Sequence, residues 1–305
     1  MNGNVKRIFF IVLFLLGSMN ASAVTYVIHD IDESSVRSLT FLLSKLVPSN
    51  TLLTPIRHDV FEQYESSLKA DDIVVTIGVD RFRQACGFDF DGAVMALFIG
   101  REEYRHVLPD CPMPTTGVFS GAPLAKNLAL LETIWLDQKP LALLYSDNVL
   151  IDENEMTALA AEYGFEFQFL QTQTDRLSVL RSVNIVLERS GLIFSVVDTE
   201  LYKNGNAQAM LKQLFNQQQL MIGPAFSFVR AGSLFAVYSD TQAKLEALAE
   251  RIRRWQTEKH MLDAIYPEKL RVSFNPSLIK AHGVVPPSAS FLNDRYGLCA
   301  ETLCD

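Results

Sequence analysis

From Val24 onward, short apolar runs alternate with segments whose apolar residues recur at helical spacing, and after about a hundred residues the alternation begins again. Strands buried on both faces read as continuous apolar runs, and the helices between them must cover those faces, so this order of elements specifies parallel sheets in α/β lobes. The first series has apolar strands over 24–29, 51–56, 73–77 and 94–99. A helix follows the first strand, with Val36, Leu39, Leu42, Leu43 and Leu46 on one stripe, a second covers 60–68 and a short one 101–108. The second series predicts helices over 123–134, 153–163, 175–188 and 206–216, and strands over 141–145, 165–170, 192–197 and 220–222. A strand over 234–238, a long helix over 241–259, a strand over 270–274 and a short helix over 276–281 follow. The end of the chain, after the proline-rich stretch from Val284, reads as loop.

Met1 to Ala23 has the form of a secretory leader. Lys6 and Arg7 precede an apolar run over 8–16, and Ala21-Ser22-Ala23 is a small-residue cleavage pattern. Nine apolar residues before Gly17 fall short of the roughly 20 that span a bilayer as a helix. The mature protein is therefore expected outside the cytoplasm, beginning near Val24, and without a lipid-bearing cysteine at the cut. About 280 residues then remain, more than one hydrophobic core usually serves, and two lobes follow.

Charge excludes some partners. The chain carries 27 Lys and Arg against 35 Asp and Glu, and the leader takes two of the positive ones. Such a surface is unsuited to nucleic acid or anionic lipid. The densest basic cluster, Arg251, Arg253 and Arg254, is interleaved with Glu246, Glu250 and Glu258 and reads as a solvated helix face. Four cysteines, Cys86, Cys111, Cys299 and Cys304, allow three disulfide connectivities in an oxidising compartment. The simplest joins sequence neighbours, Cys86 to Cys111 and Cys299 to Cys304. A metal site is not expected, since no CxxC pair occurs and the five histidines are scattered. Nor is catalysis: no Gly-x-Ser-x-Gly elbow is present, and Gly117 to Gly121 makes no dinucleotide fingerprint. No cofactor is expected.

Several stretches carry a family resemblance. They are 71–78 (DDIVVTIG), 122–131 (APLAKNLALL) with 140–146 (PLALLYS), 231–239 (AGSLFAVYS), and 266–276 (YPEKLRVSFNP) with Gly283 to Pro287. Together they resemble the substrate-binding proteins of ABC transporters of the tryptophan/tyrosine-importer type, over nearly all of 24–292. The resemblance implies a two-lobe periplasmic-binding-protein-like fold, each lobe a parallel sheet flanked by helices, with hinge crossovers. Lobe 1 would comprise 24–117 plus about 229–262, and lobe 2 would comprise 118–228 plus about 263–305. It implies a monomer that captures a small molecule between the lobes, in some members an aromatic amino acid, for a membrane permease. The alternative is a sensor or accessory protein acting on a membrane partner without transport.

Matching positions for ligand contacts are Gly78 and Val79 after the third strand, Thr116 and Gly117 at the first crossing, Tyr145 and Ser146, Asp198, and the turn from Pro224 to Phe226. Gly78 lets backbone approach a ligand. Amides near Ser146 and Asp198 can hold an anion, and Tyr145 and Phe226 can stack on a ring. Read as structure alone, Gly78 makes a tight turn, Ser146 and Asp198 cap helices, and Tyr145 and Phe226 are core. The chain departs from the family at Val79-Asp80-Arg81, where a small Thr- or Ser-rich turn is usual and Asp80 would repel a ligand carboxylate. Phe119, Phe226, Phe228 and Phe235 near the crossings also allow a cleft filled by the chain itself.

Overall fold

The computed structural model describes residues 23–301 and 304, apart from 31, 32 and 138. The leader expected over 1–23 thus lies, but for Ala23, outside the described residues. In chain order the elements are β1 (Val24–His29), α1 (Glu33–Ser44), β2 (Leu52–Arg57), α2 (His58–Phe61) running into a 3-10 turn (Glu62–Ser67), β3 (Ile73–Ile77), α3 (Val79–Cys86), β4 (Ala93–Ile99), α4 (Arg101–Val107) and β5 (Thr115–Phe119). Then come α5 (Leu124–Ile134), β6 (Leu141–Tyr145), α6 (Glu153–Glu162), β7 (Phe167–Gln171), α7 (Arg176–Leu187), β8 (Leu192–Phe194), α8 (Thr199–Tyr202), α9 (Asn206–Asn216), β9 (Leu220–Ile222), α10 (Phe226–Ala231) and β10 (Phe235–Tyr238). The chain closes with α11 (Thr241–Glu258), β11 (Leu270–Phe274), α12 (Pro276–Ala281), α13 (Ala289–Tyr296) and β12 (Leu298–Ala300).

Two sheets result. The first has the order β2-β1-β3-β4-β5 and is parallel throughout. The second has the order β12-β11-β10-β9-β8-β6-β7, parallel except where β11 runs against β10. The inner strands of each are buried on both faces, as their apolar runs require, while the edge strands β2 and β7 are only partly covered. In the first lobe α3 and α4 cover one face through Phe82, Ala85, Tyr104 and Val107. The other face takes Leu39 and Leu43 of α1 together with Leu245, Leu248, Ile252 and Trp255 of α11. In the second lobe α5 and α6 lie on one face and α7 and α9 on the other.

Three segments cross between the lobes: 120–123 after β5, 239–240 after β10, and 259–269 after α11. The first and third meet, because the Phe119 amide donates to the Ile265 carbonyl (2.8 Å) and the Ile265 amide to the Gly117 carbonyl (3.0 Å). Since β10 is a strand of the second sheet, the return to the first lobe falls at Asp240 and not near the expected 229.

Four local differences from the sequence reading have physical causes. Residues 115–119 form a fifth strand of the first sheet, with Thr116 fully buried, so Thr116 and Gly117 lie inside β5 and the crossing starts at Ser120. The departing turn Val79-Asp80-Arg81 is the first turn of α3. The segment read as a helix over 60–68 is one α turn followed by a 3-10 turn. The end of the chain is not loop: Ser288 caps α13 through the Phe291 amide, Gly297 (φ 64°) ends it, and β12 adds parallel to β11. Both expected cystine bridges, Cys86–Cys111 and Cys299–Cys304, are formed. Among the described residues no helix is long and apolar enough to cross a membrane.

Candidate functional site

The carboxyl ends of the strands of both sheets face each other across the crossings, where open α/β folds place their ligands. Part of this space is filled by the chain itself. Gly100, after β4, lies so near Val197 of the second lobe that a Cβ on it would stand 2.7 Å from the Val197 carbonyl oxygen. Beside this contact the first turn of α4 reaches across. Glu103 is buried, accepts from its own Gly100 amide (2.8 Å) and accepts from the Thr199 amide at the start of α8 (2.6 Å). Burial raises the Glu103 carboxyl above its ordinary value, and the hydrogen bonds from Gly100 and Thr199 act the other way. The Leu150 amide donates to the Glu102 carbonyl (3.0 Å), and Arg101 and Arg105 both donate to Glu155 on α6, at 2.5 and 2.9 Å.

Two cavities flank this contact, and both touch Ser120 and Gly121 of the first crossing. The larger, 550 Å3, lies between the start of α10, the start of α11 and the last strands of the second sheet. Its walls carry three rings, Phe98, Phe226 and Tyr238. Phe226 and Tyr238 stack with centroids 5.7 Å apart and planes at 28°. Phe98 is there because of the backbone: it has φ 57°, and the pairing of β4 with β5 shifts register between Leu97 and Ile99. A bulge of this kind re-aims one side chain out of the sheet.

The charges of the larger cavity are arranged asymmetrically. Asp240 caps α11 through the Ala243 amide (2.7 Å) and receives Arg271 Nε (2.7 Å), so both its oxygens are engaged. Tyr238 donates its hydroxyl to Glu301, and burial followed by this bond raises the hydroxyl far above its ordinary value. Lys244 is buried, donates Nζ to the Ser239 carbonyl and stands 5.7 Å from the centroid of the Phe98 ring. Burial lowers its ammonium to about 8, with Asp240 acting in the opposite sense. Near neutral pH the cavity thus offers a desolvated ammonium beside aromatic faces.

Of the eight ligand-contact positions read from the sequence, Phe226 lines this cavity. Gly78 ends β3 with φ 82°, starts α3 and has open space where a Cβ would be. Val79 is buried in the first core, and a Cβ on Gly117 would stand 3.2 Å from the Tyr104 ring. Tyr145 donates its hydroxyl to Glu153 (2.9 Å). Ser146 and Asp198 are brought together within the second lobe. Both are buried; the Ser146 amide and hydroxyl donate to Asp198 at 2.7 and 2.9 Å, and the Leu201 amide donates to it at 3.0 Å. Burial raises the Asp198 carboxyl and these bonds oppose it.

Phe98, Tyr238, Lys244, Arg271 and Glu301 were not singled out from the sequence. A signal existed for Lys244, one residue before Leu245 and four before Leu248 on the stripe that α11 buries. For Phe98 there was none. Of the remaining expected phenylalanines, Phe119 and Phe235 belong to the lobe cores and Phe228 packs on Tyr202. No group of three or more His, Cys, Asp or Glu side chains among the described residues is placed to hold a metal.

No protein-family model matches the chain, and no curated protein matches it. Solved structures do. The ABC domain in complex with L-Trp from Streptococcus pneumonia aligns over 91% of this chain and 99% of its own, with 14% identity and a TM-score of 0.64. A conserved domain protein from Vibrio cholerae aligns over 92% and 100%, with 11% identity and a TM-score of 0.67. The ligand-free, open structure of a substrate binding protein with adhesive properties from Clostridium difficile aligns over 91% and 98%, with 11% identity and a TM-score of 0.61. At such identities the likeness is one of fold: two α/β lobes, as in the substrate-binding proteins of ABC transporters.

Proposed function

We propose that the chain is an extracytoplasmic solute-binding protein that captures a small molecule between its lobes for an ABC-type importer, and that the larger interlobe cavity is its binding site. The observation that carries this reading is the placement of Lys244 and the Phe226–Tyr238 stack at the two crossings on which lobe closure turns. A desolvated ammonium beside aromatic faces suits a flat or aromatic molecule bearing a carboxylate or another small anion. The mechanism is ligand capture followed by hinge closure, read by a membrane permease. The leader, export to the periplasm and a monomeric state belong to the same reading, as does the absence of catalysis. The fold of the solved relatives supports it, and one of them holds L-Trp.

The test is a thermal-shift panel on residues 24–305 with amino acids, nucleobases, small acids and sugars. A true ligand at about 100 times its dissociation constant adds roughly 2.7 kcal/mol, a shift of several degrees. Phe226→Ala should abolish that shift while the variant unfolds cooperatively. The clamp that Glu103 and Glu155 make across the lobes favours a second reading, a sensor or accessory protein whose partner is a membrane protein. Silence of a well-folded sample across the whole panel selects that reading.

A further inference from the structure

On the other side of the Ser120–Gly121 crossing, around the smaller cavity of 260 Å3, closure of the lobes sets a carboxylate against an apolar wall. The wall belongs to the second lobe, through Leu124, Met156 and Leu159. Glu102 faces it from the first lobe, at the start of α4, with 12% of its side chain exposed. The hydrogen bond that its carboxylate accepts comes from its own amide, and Arg101, 3.9 Å away, is turned to Glu155 at 2.5 Å. Glu103 beside it receives the Thr199 amide from the second lobe, a bond that works against the cost of its burial. Among the described residues the second lobe gives Glu102 no such donor in place of the water that closure removes.

The charges around Glu102 are few. Arg101 and Arg105, on α4 itself, favour its carboxylate, and Glu155, on α6 of the second lobe, disfavours it. Tyr266, on the third crossing, is neutral, because burial first and Glu102 next hold its hydroxyl well above its ordinary value. Burial outweighs all of these and raises the Glu102 carboxyl above its ordinary value.

We propose that Glu102 makes lobe closure proton-operated: the lobes draw together when this carboxylate takes a proton from solvent and part when it returns the proton. The closed state holds that proton more tightly than the open one, in which water regains the carboxylate and its value falls back towards 4.5. Below about 4.5 both states are protonated and the cost of burying charge is absent. Above that, closure weakens as pH rises through the raised value of the closed state. Glu155 acts in the opposite sense. Its bonds with Arg101 and then Arg105 cross between the lobes and hold its carboxyl below the ordinary 4.5, so their contribution to closure is lost as pH falls through the lowered value. Glu155 is partly exposed, which makes this the weaker arm. Closure is strongest near pH 4.5 and declines on either side. The device uses protein groups alone, so it stands or falls apart from the solute-binding reading.

The experiment reads lobe separation in the mature chain with no solute added. Spin labels on Asp59→Cys, just after β2, and Gln173→Cys, just after β7, ride on the outer strands of the two sheets, and double electron–electron resonance gives the closed and open populations. From pH 4.5 to about pH 8.5 the closed-to-open ratio should fall, about tenfold for each pH unit by which closure raises the carboxyl. Glu102→Gln, neutral throughout, should remove the greater part of that fall. Glu155→Gln should lower the ratio at the alkaline end and keep the fall. Leu159→Gln, which sets an amide donor in the wall opposite the carboxylate, should lessen the fall and keeps the test open should Glu102→Gln fold poorly. A ratio that is constant or rises over this range, or a fall undiminished in whichever of Glu102→Gln and Leu159→Gln folds, overturns the proposal.

Discussion

Asp198 accepts from the Ser146 amide, the Ser146 hydroxyl and the Leu201 amide in a site with almost no water contact. Removing the carboxylate strands three buried donors and uncaps α8, so Asp198→Ala should cost about 2–4 kcal/mol of stability. In a chain of this size that lowers the unfolding midpoint by roughly 5–15 °C, which scanning calorimetry reads directly. A midpoint unmoved by more than a degree would show the three bonds to be dispensable. Lys244 carries a different prediction. Its ammonium is lowered from 10.5 to about 8 in the folded chain, so below about pH 8 both states hold the proton and the burial cost is present in full. Between about 8 and 10.5 only the unfolded state keeps the proton, and stability rises with pH through that window. Wild type should therefore gain on Lys244→Met between pH 7 and pH 10 in paired denaturation curves; a constant difference would contradict the assignment. At this scale the sequence was half legible. Ser146 and Asp198 announce themselves as capping residues after strands, whereas Phe98 enters its cavity through a left-handed backbone angle that no residue type reveals.

The two cystine bridges stabilise different things. Cys86–Cys111 closes a loop of 25 residues and pins the end of α3 to the turn before β5; Cys299–Cys304 closes only five. By loop entropy the first is worth about 3.5 kcal/mol and the second about 2. Replacing Cys86 and Cys111 by Ser should thus lower the midpoint more than replacing Cys299 and Cys304, and the reverse order would refute the entropic account. Strands β1 to β4 of the first sheet were legible because each is a mainly apolar run. The strand at 115–119 was not, since Thr115-Thr116-Gly117 carries little apolar signal and is buried by position, at the sheet edge under Tyr104. The last helix and strand were masked by Pro286 and Pro287, although Ser288 and Gly297 stand where a cap and a terminator belong.

At the scale of the whole molecule the order of the lobes could be read, but not the sheet to which every strand returns. An apolar run such as Leu234 to Tyr238 fits the centre of either sheet; its pairing with β9 and β11 is decided by partners distant in sequence. The long helix α11 resolves the ambiguity in space, since it leaves the second lobe to lie on the first. That arrangement has a consequence in time. When β5 has been synthesised the first sheet is complete, yet the face bearing Val27, Val75, Met95 and Leu97 has no α11 to cover it. The covering helix ends about 140 residues later, a delay on the order of ten seconds at ordinary rates of synthesis. The amino-terminal half must therefore wait, sticky and incomplete, for a piece that follows almost the entire second lobe, and any aggregation of nascent chains should be seeded on that bare face.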